Sequence, residues 1–172
     1  MSMLKYTICF VIRGSRVLML NRSKPPGMGC WNGVGGKIEP GETPEQGAIR
    51  EIREETGIEA RELYYAGQVT WFSALGTMSG AHLFVAELPE HADEAYAANE
   101  APQETEEGLL AWKEIEWLLD ERNKGLISHL HLYLRSVLER TGCYAFECYF
   151  NDQGQVMRFE QSALHKMETT GA

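Results

Sequence analysis

Between Thr43 and Gly57 the sequence marks both ends of one helix, and this constrains the fold more than any other feature. Thr43 is a capping residue, Pro44 suits the first helical position, and Gln46 completes a capping box with Thr43. Gly57 supplies a left-handed stop. The bracket predicts a helix over Pro44–Thr56. Each residue of a helix advances about 100° around its axis. Measured from Glu51, Glu54 lies at about −60° and Glu55 at about +40°, so three carboxylates share one arc. Gly47 falls on that arc one turn earlier, which leaves room for an approaching group. Ile49 and Ile52 point elsewhere, toward a core.

Three glutamates on one arc oppose an isolated helix. Like charges at these spacings cost roughly 0.2–0.5 kcal/mol per pair. Glu54 and Glu55 also stand in the last turn, where the helix dipole favours cations. Arg50 and Arg53 offset part of this, and a bound Mg²⁺ or Mn²⁺ would offset more, because hard cations take carboxylate oxygens. The plain alternative is a solvated acidic face, since Glu is a good helix former. The preceding segment argues for a site instead. The glycines of Gly33-Val34-Gly35-Gly36 permit close approach to a ligand. Lys37 follows as a candidate phosphate contact, and Glu42 stands in the turn before the helix.

The rest of the chain supplies a sheet. Tyr6–Ile12 is an almost continuous apolar, β-rich run, and Gly14-Ser15 turns it into Val17–Leu20. Leu63–Phe72, His82–Glu87 and Leu109–Trp112 read as further strands, and Tyr144–Phe150 with Val156–Phe159 as a closing hairpin. Ile115–Leu119 reads as a short helix. Ile127, Leu130, Tyr133, Leu134, Val137 and Leu138 keep helical spacing, which predicts a second long amphipathic helix ending at Gly142 and packed internally. Leu88–Glu107, acidic without Lys or Arg, reads as a solvated excursion. The expectation is one α/β (α+β) domain over residues 1–172, a mixed sheet between two main helices.

Charge and composition narrow the function. The 172 residues carry a net charge of −9, which argues against general nucleic-acid binding. An acidic protein still holds phosphates when divalent cations lie between them. No apolar run approaches the roughly 18–20 residues of a membrane span. The opening Met1-Ser2-Met3-Leu4-Lys5 lacks the layout of a secretion signal. Cys9, Cys30, Cys143 and Cys148 show no zinc-like spacing, so reduced thiols in a cytoplasmic protein are expected. His129 and His131 read as surface or partly buried residues.

The segment Gly36–Ile58 resembles the Nudix box: Gly, five residues, Glu, seven residues, then Arg-Glu-aliphatic-any-Glu-Glu-any-Gly-aliphatic. Gly36, Glu42, Arg50, Glu51, Ile52, Glu54, Glu55, Gly57 and Ile58 fill every defined position. Trp31-Asn32-Gly33-Val34-Gly35-Gly36-Lys37, the early hairpin, Gly67-Gln68-Val69 and Trp112 are similar to the MutT-type branch, which includes oxidised-purine triphosphatases. The resemblance implies a Nudix α/β/α sandwich and hydrolysis of a nucleoside diphosphate linked to another group. For a triphosphate the products are a nucleoside monophosphate and pyrophosphate. It further implies Mg²⁺, with Mn²⁺ as a substitute.

Position by position, the resemblance makes Glu54, Glu55 and the Gly36 carbonyl metal ligands. Glu51 is a further ligand or the general base, a choice shared with Glu54, and Arg50 orients Glu54. Glu107 is the expected ligand from outside the box, with Glu104 and Glu106 as neighbours. Arg22, Lys24 and Lys37 are candidate phosphate contacts. Asn32 is the expected base contact, with Trp71, and then Phe72, Tyr6 and Phe10, as stacking candidates. One departure stands out: the oxidised-purine enzymes carry a tryptophan and paired aspartates in a late segment, and Asn123-Lys124-Gly125-Leu126-Ile127 has neither. The partner is a nucleotide rather than a nucleic acid or a membrane, and the protein is a monomer or homodimer. Another nucleoside diphosphate derivative (ADP-ribose, a dinucleotide, a nucleotide sugar) is the alternative substrate, and a non-catalytic nucleotide sensor is the alternative role.

Overall fold

The structure, a computed structural model, describes residues 4–89 and 101–164. Its strands are β1 (Leu4–Arg13), β2 (Arg16–Arg22), β3 (Trp31–Asn32), β4 (Tyr64–Phe72), β5 (Met78–Glu87), β6 (Gln103–Glu104), β7 (Gly108–Glu114), β8 (Tyr144–Phe150) and β9 (Val156–Ala163). They form one sheet in the order β6-β7-β2-β1-β5-β4-β8-β9, with β3 beside β2. The pairs β1–β5 and β4–β8 are parallel and the others antiparallel, so the sheet is mixed as expected.

β1 lies at the centre because it has two faces to bury. Every residue from Thr7 to Arg13 is buried. Ile8, Phe10 and Ile12 enter one core, and Cys9 and Val11 the other, which is the period of two that a strand imposes. One face is covered by α1 (Pro44–Thr56). Its capping box forms as the sequence predicts: Gln46 N–H donates to Thr43 Oγ1 at 3.2 Å, and Thr43 N–H to Gln46 Oε1 at 2.9 Å. Gly57 closes the helix at φ 72°. Ala48 and Ile52 then pack with Cys9, Val11, Leu18 and Phe84.

The opposite face differs from expectation. In place of one long helix over 127–142 it carries α2 (Ile115–Leu118), a 3₁₀ turn (Leu130–Leu132) and α3 (Leu134–Leu138). The apolar spacing reported burial correctly, since Leu130, Tyr133, Leu134, Val137 and Leu138 are all in the core. The backbone breaks for local reasons. Ile127 N–H donates to the Trp31 carbonyl at 3.1 Å, and Tyr133 adopts φ −130°, outside the helical region. The excursion over 88–107 is also corrected at its end, where β6 pairs with β7; residues 90–100 of it lie outside the described residues.

Candidate active site

The glycine-rich segment runs beside β1 and is fastened to it. Thr7 N–H donates to the Gly36 carbonyl at 2.8 Å, Val34 N–H to the Cys9 carbonyl at 3.0 Å, and Ile38 N–H to the Lys5 carbonyl at 2.9 Å. Gly35 has φ 152°, and a Cβ there would run into the Thr7 carbonyl, so the close approach requires glycine. At Gly36 a Cβ would stand 2.5 Å from Glu51 Oε1. The strand-like segment and the acidic arc of α1 therefore meet at Gly36 and Glu51.

Arg50 organises that meeting. Its Nε and Nη2 grip Glu42 at 2.7 and 2.9 Å. Nη1 donates to Glu51 at 2.7 Å and Glu54 at 3.1 Å, and Nη2 also reaches the Lys37 carbonyl at 3.0 Å. The planar fork of a guanidinium suits this many acceptors, which a lysine could not satisfy together. The Arg50 hydrogen bonds hold the Glu42 carboxyl down at about 2, helped by the Glu39 N–H. Glu42 also fills the space beside Gly47 that the sequence left open: a Cβ on Gly47 would lie 3.1 Å from Glu42 Oε2.

Glu55 lies outside the Arg50 cluster. Burial, then the charges of Glu51 and Glu107, push its carboxyl up to about 8, although Gly35 N–H and Arg22 pull the other way. It accepts from Gly35 N–H at 3.3 Å. Glu107 is brought opposite by its backbone, whose carbonyl accepts from Ser23 N–H at 2.9 Å and Ser23 Oγ at 3.1 Å. The tie fixes the β6–β7 turn to the end of β2.

These groups line one cleft of about 1220 Å³. Of the residues singled out in the sequence, Gly36, Lys37, Glu51, Glu54, Glu55, Glu107, Arg22, Asn32 and Trp71 line it. Tyr6 and Glu106 line it as well. Arg50, Lys24 and Glu104 are absent from its described lining. Phe10 is fully buried in the core, and Phe72 stacks on Tyr149 with centroids 4.5 Å apart. Among the described residues no three His, Cys, Asp or Glu side chains are already gathered around one point as a metal would draw them; Arg50 holds Glu51 and Glu54 toward itself.

The family follows from a match to this same stretch. The model of the NUDIX domain matches residues 3–131. The chain belongs to the NUDIX family. The mouse oxidized purine nucleoside triphosphate hydrolase is 37% identical over 83 residues, 48% of this chain and 53% of that protein. The NAD-capped RNA hydrolase NudC of Pasteurella multocida (strain Pm70) is 32% identical over 120 residues, 65% of this chain and 45% of that one. The chain thus spans about half the length of the curated relatives it matches. A MutT protein from Bacillus halodurans superposes with TM-score 0.70 at 24% identity, covering 91% of this chain and 96% of its own, and shares the fold.

Two residues of this Nudix cleft escaped sequence reasoning. Thr7 Oγ1 is sealed from solvent without a partner at the cleft wall. Its signal was a lone small hydroxyl inside an apolar strand. His129, expected near the surface, is buried and accepts a hydrogen bond at Nε2 from Trp71 Nε1 at 3.2 Å. Burial holds its imidazole down at about 4. No local spacing pointed to it, because its partner lies on β4.

Proposed function

We propose that this chain is a Mg²⁺-dependent diphosphohydrolase that cuts nucleoside triphosphates to nucleoside monophosphate and pyrophosphate. Oxidised purine nucleotides of the 8-oxo-dGTP kind are its substrates, in cytoplasmic nucleotide-pool sanitation, and residues 1–172 act as a single domain. The observation that carries this reading is the convergence of Glu51, Glu54, Glu55 and Glu107 with Arg22 and Lys37 on one cleft. The carboxylate set suits a hard divalent cation, and the Glu55 carboxyl, raised by burial and then by the charges of Glu51 and Glu107, is one that such a cation would stabilise in its ionised form. Glu54, Glu55, Glu107 and the Gly36 carbonyl would hold it, with Glu51 beside them. The ion would neutralise phosphate charge and lower the pKa of water.

The protein's own groups divide the remaining work. Lys37 and Arg22 face the anionic phosphate chain. Water adds to phosphorus, the anhydride P–O bond breaks, pyrophosphate leaves, and the water's proton passes to Glu51 or Glu54 as general base. Arg50 is a positioning residue, since it touches the carboxylates rather than the cleft. Asn32 and Trp71 receive the base. The similarity to NAD-capped RNA hydrolases supports a second reading, in which the same catalyst cuts another nucleoside diphosphate derivative.

A Mg²⁺-supported hydrolysis panel separates the two. It covers ordinary and 8-oxo nucleoside triphosphates, ADP-ribose, NADH and diadenosine polyphosphates, ranked by kcat/KM. The expected order places 8-oxo purine triphosphates first. No preference over the ordinary nucleotides removes the sanitation reading, and faster cleavage of ADP-ribose or NADH establishes the second.

A further inference from the structure

The two edges of the sheet are finished differently. At one edge β6 is two residues long, and so short a strand offers little to pair with. At the other, β9 runs for eight residues, Val156–Ala163, with β8 as its one neighbour among the described residues. It contains no proline, glycine or lysine, the residues that commonly spoil an edge. A register shift disturbs its start, near Val156, and from Arg158 to Ala163 its pairing with β8 is regular. Leu164 N–H donates to the Cys143 carbonyl at 2.9 Å, which makes these two a hydrogen-bonded pair. Such pairs alternate along an antiparallel ladder. Ser162, Glu160 and Arg158 therefore bond toward β8, and the backbone groups of Phe159, Gln161 and Ala163 point outward.

The charges on this edge select what fits it. Glu160 lies directly opposite Glu147 of β8, an unfavourable cross-strand pair. Arg158 lies over the Tyr149 ring at 3.9 Å and reaches Glu160 at 3.3 Å, so it shares the face with Glu160. Both side chains are more than half exposed. We propose that β9 pairs antiparallel with β9 of a second copy of this chain, about a two-fold axis at Phe159. Phe159 then exchanges both backbone hydrogen bonds with its own counterpart. Arg158 of each copy falls opposite Glu160 of the other in a non-hydrogen-bonded pair, where side chains approach most closely. Each Glu160, opposed by Glu147 on one side, gains a cation on the other. Moving the axis by one residue either way sets Arg158 against Arg158 or Glu160 against Glu160, so charge fixes the register. The contact is isologous, and two copies complete it. Arg158 and Glu160 are not part of the cleft lining, so the pairing stands independently of the function proposed above.

Charge reversal tests it on the full chain. Sedimentation velocity over a concentration series, near physiological ionic strength, should show a monomer–dimer equilibrium. Arg158→Glu sets glutamate against glutamate at both pairs, and Glu160→Arg sets arginine against arginine. Each alone should raise the dimer Kd by about tenfold or more. Mixed in equal amounts, the two variants should dimerise with each other, because one edge is then acidic and the other basic. Two misfolded chains could not regain a dimer on mixing, so the mixture also controls for folding. A parent that stays monomeric throughout overturns the proposal. So does a dimer indifferent to both reversals, or a pair of monomeric variants that fail to associate when mixed.

Discussion

The two ends of the cleft are built in opposite ways. The carboxylate end comes almost entirely from Gly36–Ile58, a strand-like segment, a turn and one capped helix, cross-tied by Arg50. The aromatic end, to which the proposed reading gives the base, is assembled from β3, β4, the segment over 127–129 and the β8–β9 turn, which are far apart in the chain. The first is charged and holds its shape by ionic hydrogen bonds. The second is aromatic and holds its shape by packing around one neutral histidine. A local device can be carried intact between proteins with different substrates, whereas a dispersed one must be rebuilt for each. On the proposed reading, catalysis and specificity are therefore separable in this molecule.

Substitutions at the carboxylate end break the comparison most sharply. Glu54→Gln or Glu55→Gln should lower kcat by about 100-fold or more while the melting temperature stays near that of the parent. Near-normal turnover in both would remove the metal assignment.

At the base end the next largest effect is on stability against acid. His129 takes a proton near pH 6.5 when unfolded but only at about 4 when folded. Stability is therefore complete above pH 6.5 and is lost as pH falls toward 4, by up to about 3 kcal/mol. Denaturant titrations between pH 7 and 4 should show this loss, and His129→Phe should remove it. A parent with no acid loss in that window would contradict a buried neutral imidazole.

Smaller again is the effect of Arg50→Lys. An ammonium cannot grip Glu42 with two parallel bonds and still hold Glu51 and Glu54. A destabilisation of roughly 1–3 kcal/mol is expected, with kcat reduced more than KM. An equal effect on kcat and on KM would mean that the two ends are coupled after all.

The metal-free protein sharpens the contrast through pH. Glu55 keeps its proton up to about pH 8 when folded but only to about 4.5 when unfolded. Its contribution to the metal-free fold is present below pH 4.5 and lost as pH rises through 8. The melting temperature without metal should drift downward over that range, and Glu55→Gln should flatten the drift. Apparent Mg²⁺ affinity should rise over the same range, because the ion displaces a proton.

The same contrast explains what the sequence disclosed. The helix over Pro44–Thr56, its caps and its acidic arc were legible because each depends on neighbours within four residues. The central strand was legible from its unbroken apolar run. The supposed long helix over 127–142 failed because burial periodicity cannot sense that Tyr133 leaves the helical region and splits the run into a 3₁₀ turn and a short helix. The role of Glu42 as a bidentate partner of Arg50, eight residues away, also required the folded turn. His129 was illegible for a stricter reason: its tautomer is set by an indole 58 residues earlier in the chain.

The Arg50 junction has one further implication. A fixed internal cation already ties Glu42, Glu51 and Glu54 together, so a chelator should silence the protein without unravelling it. Starved of its ion it would idle as a preassembled scaffold, and restoring the ion would restart it without any refolding delay.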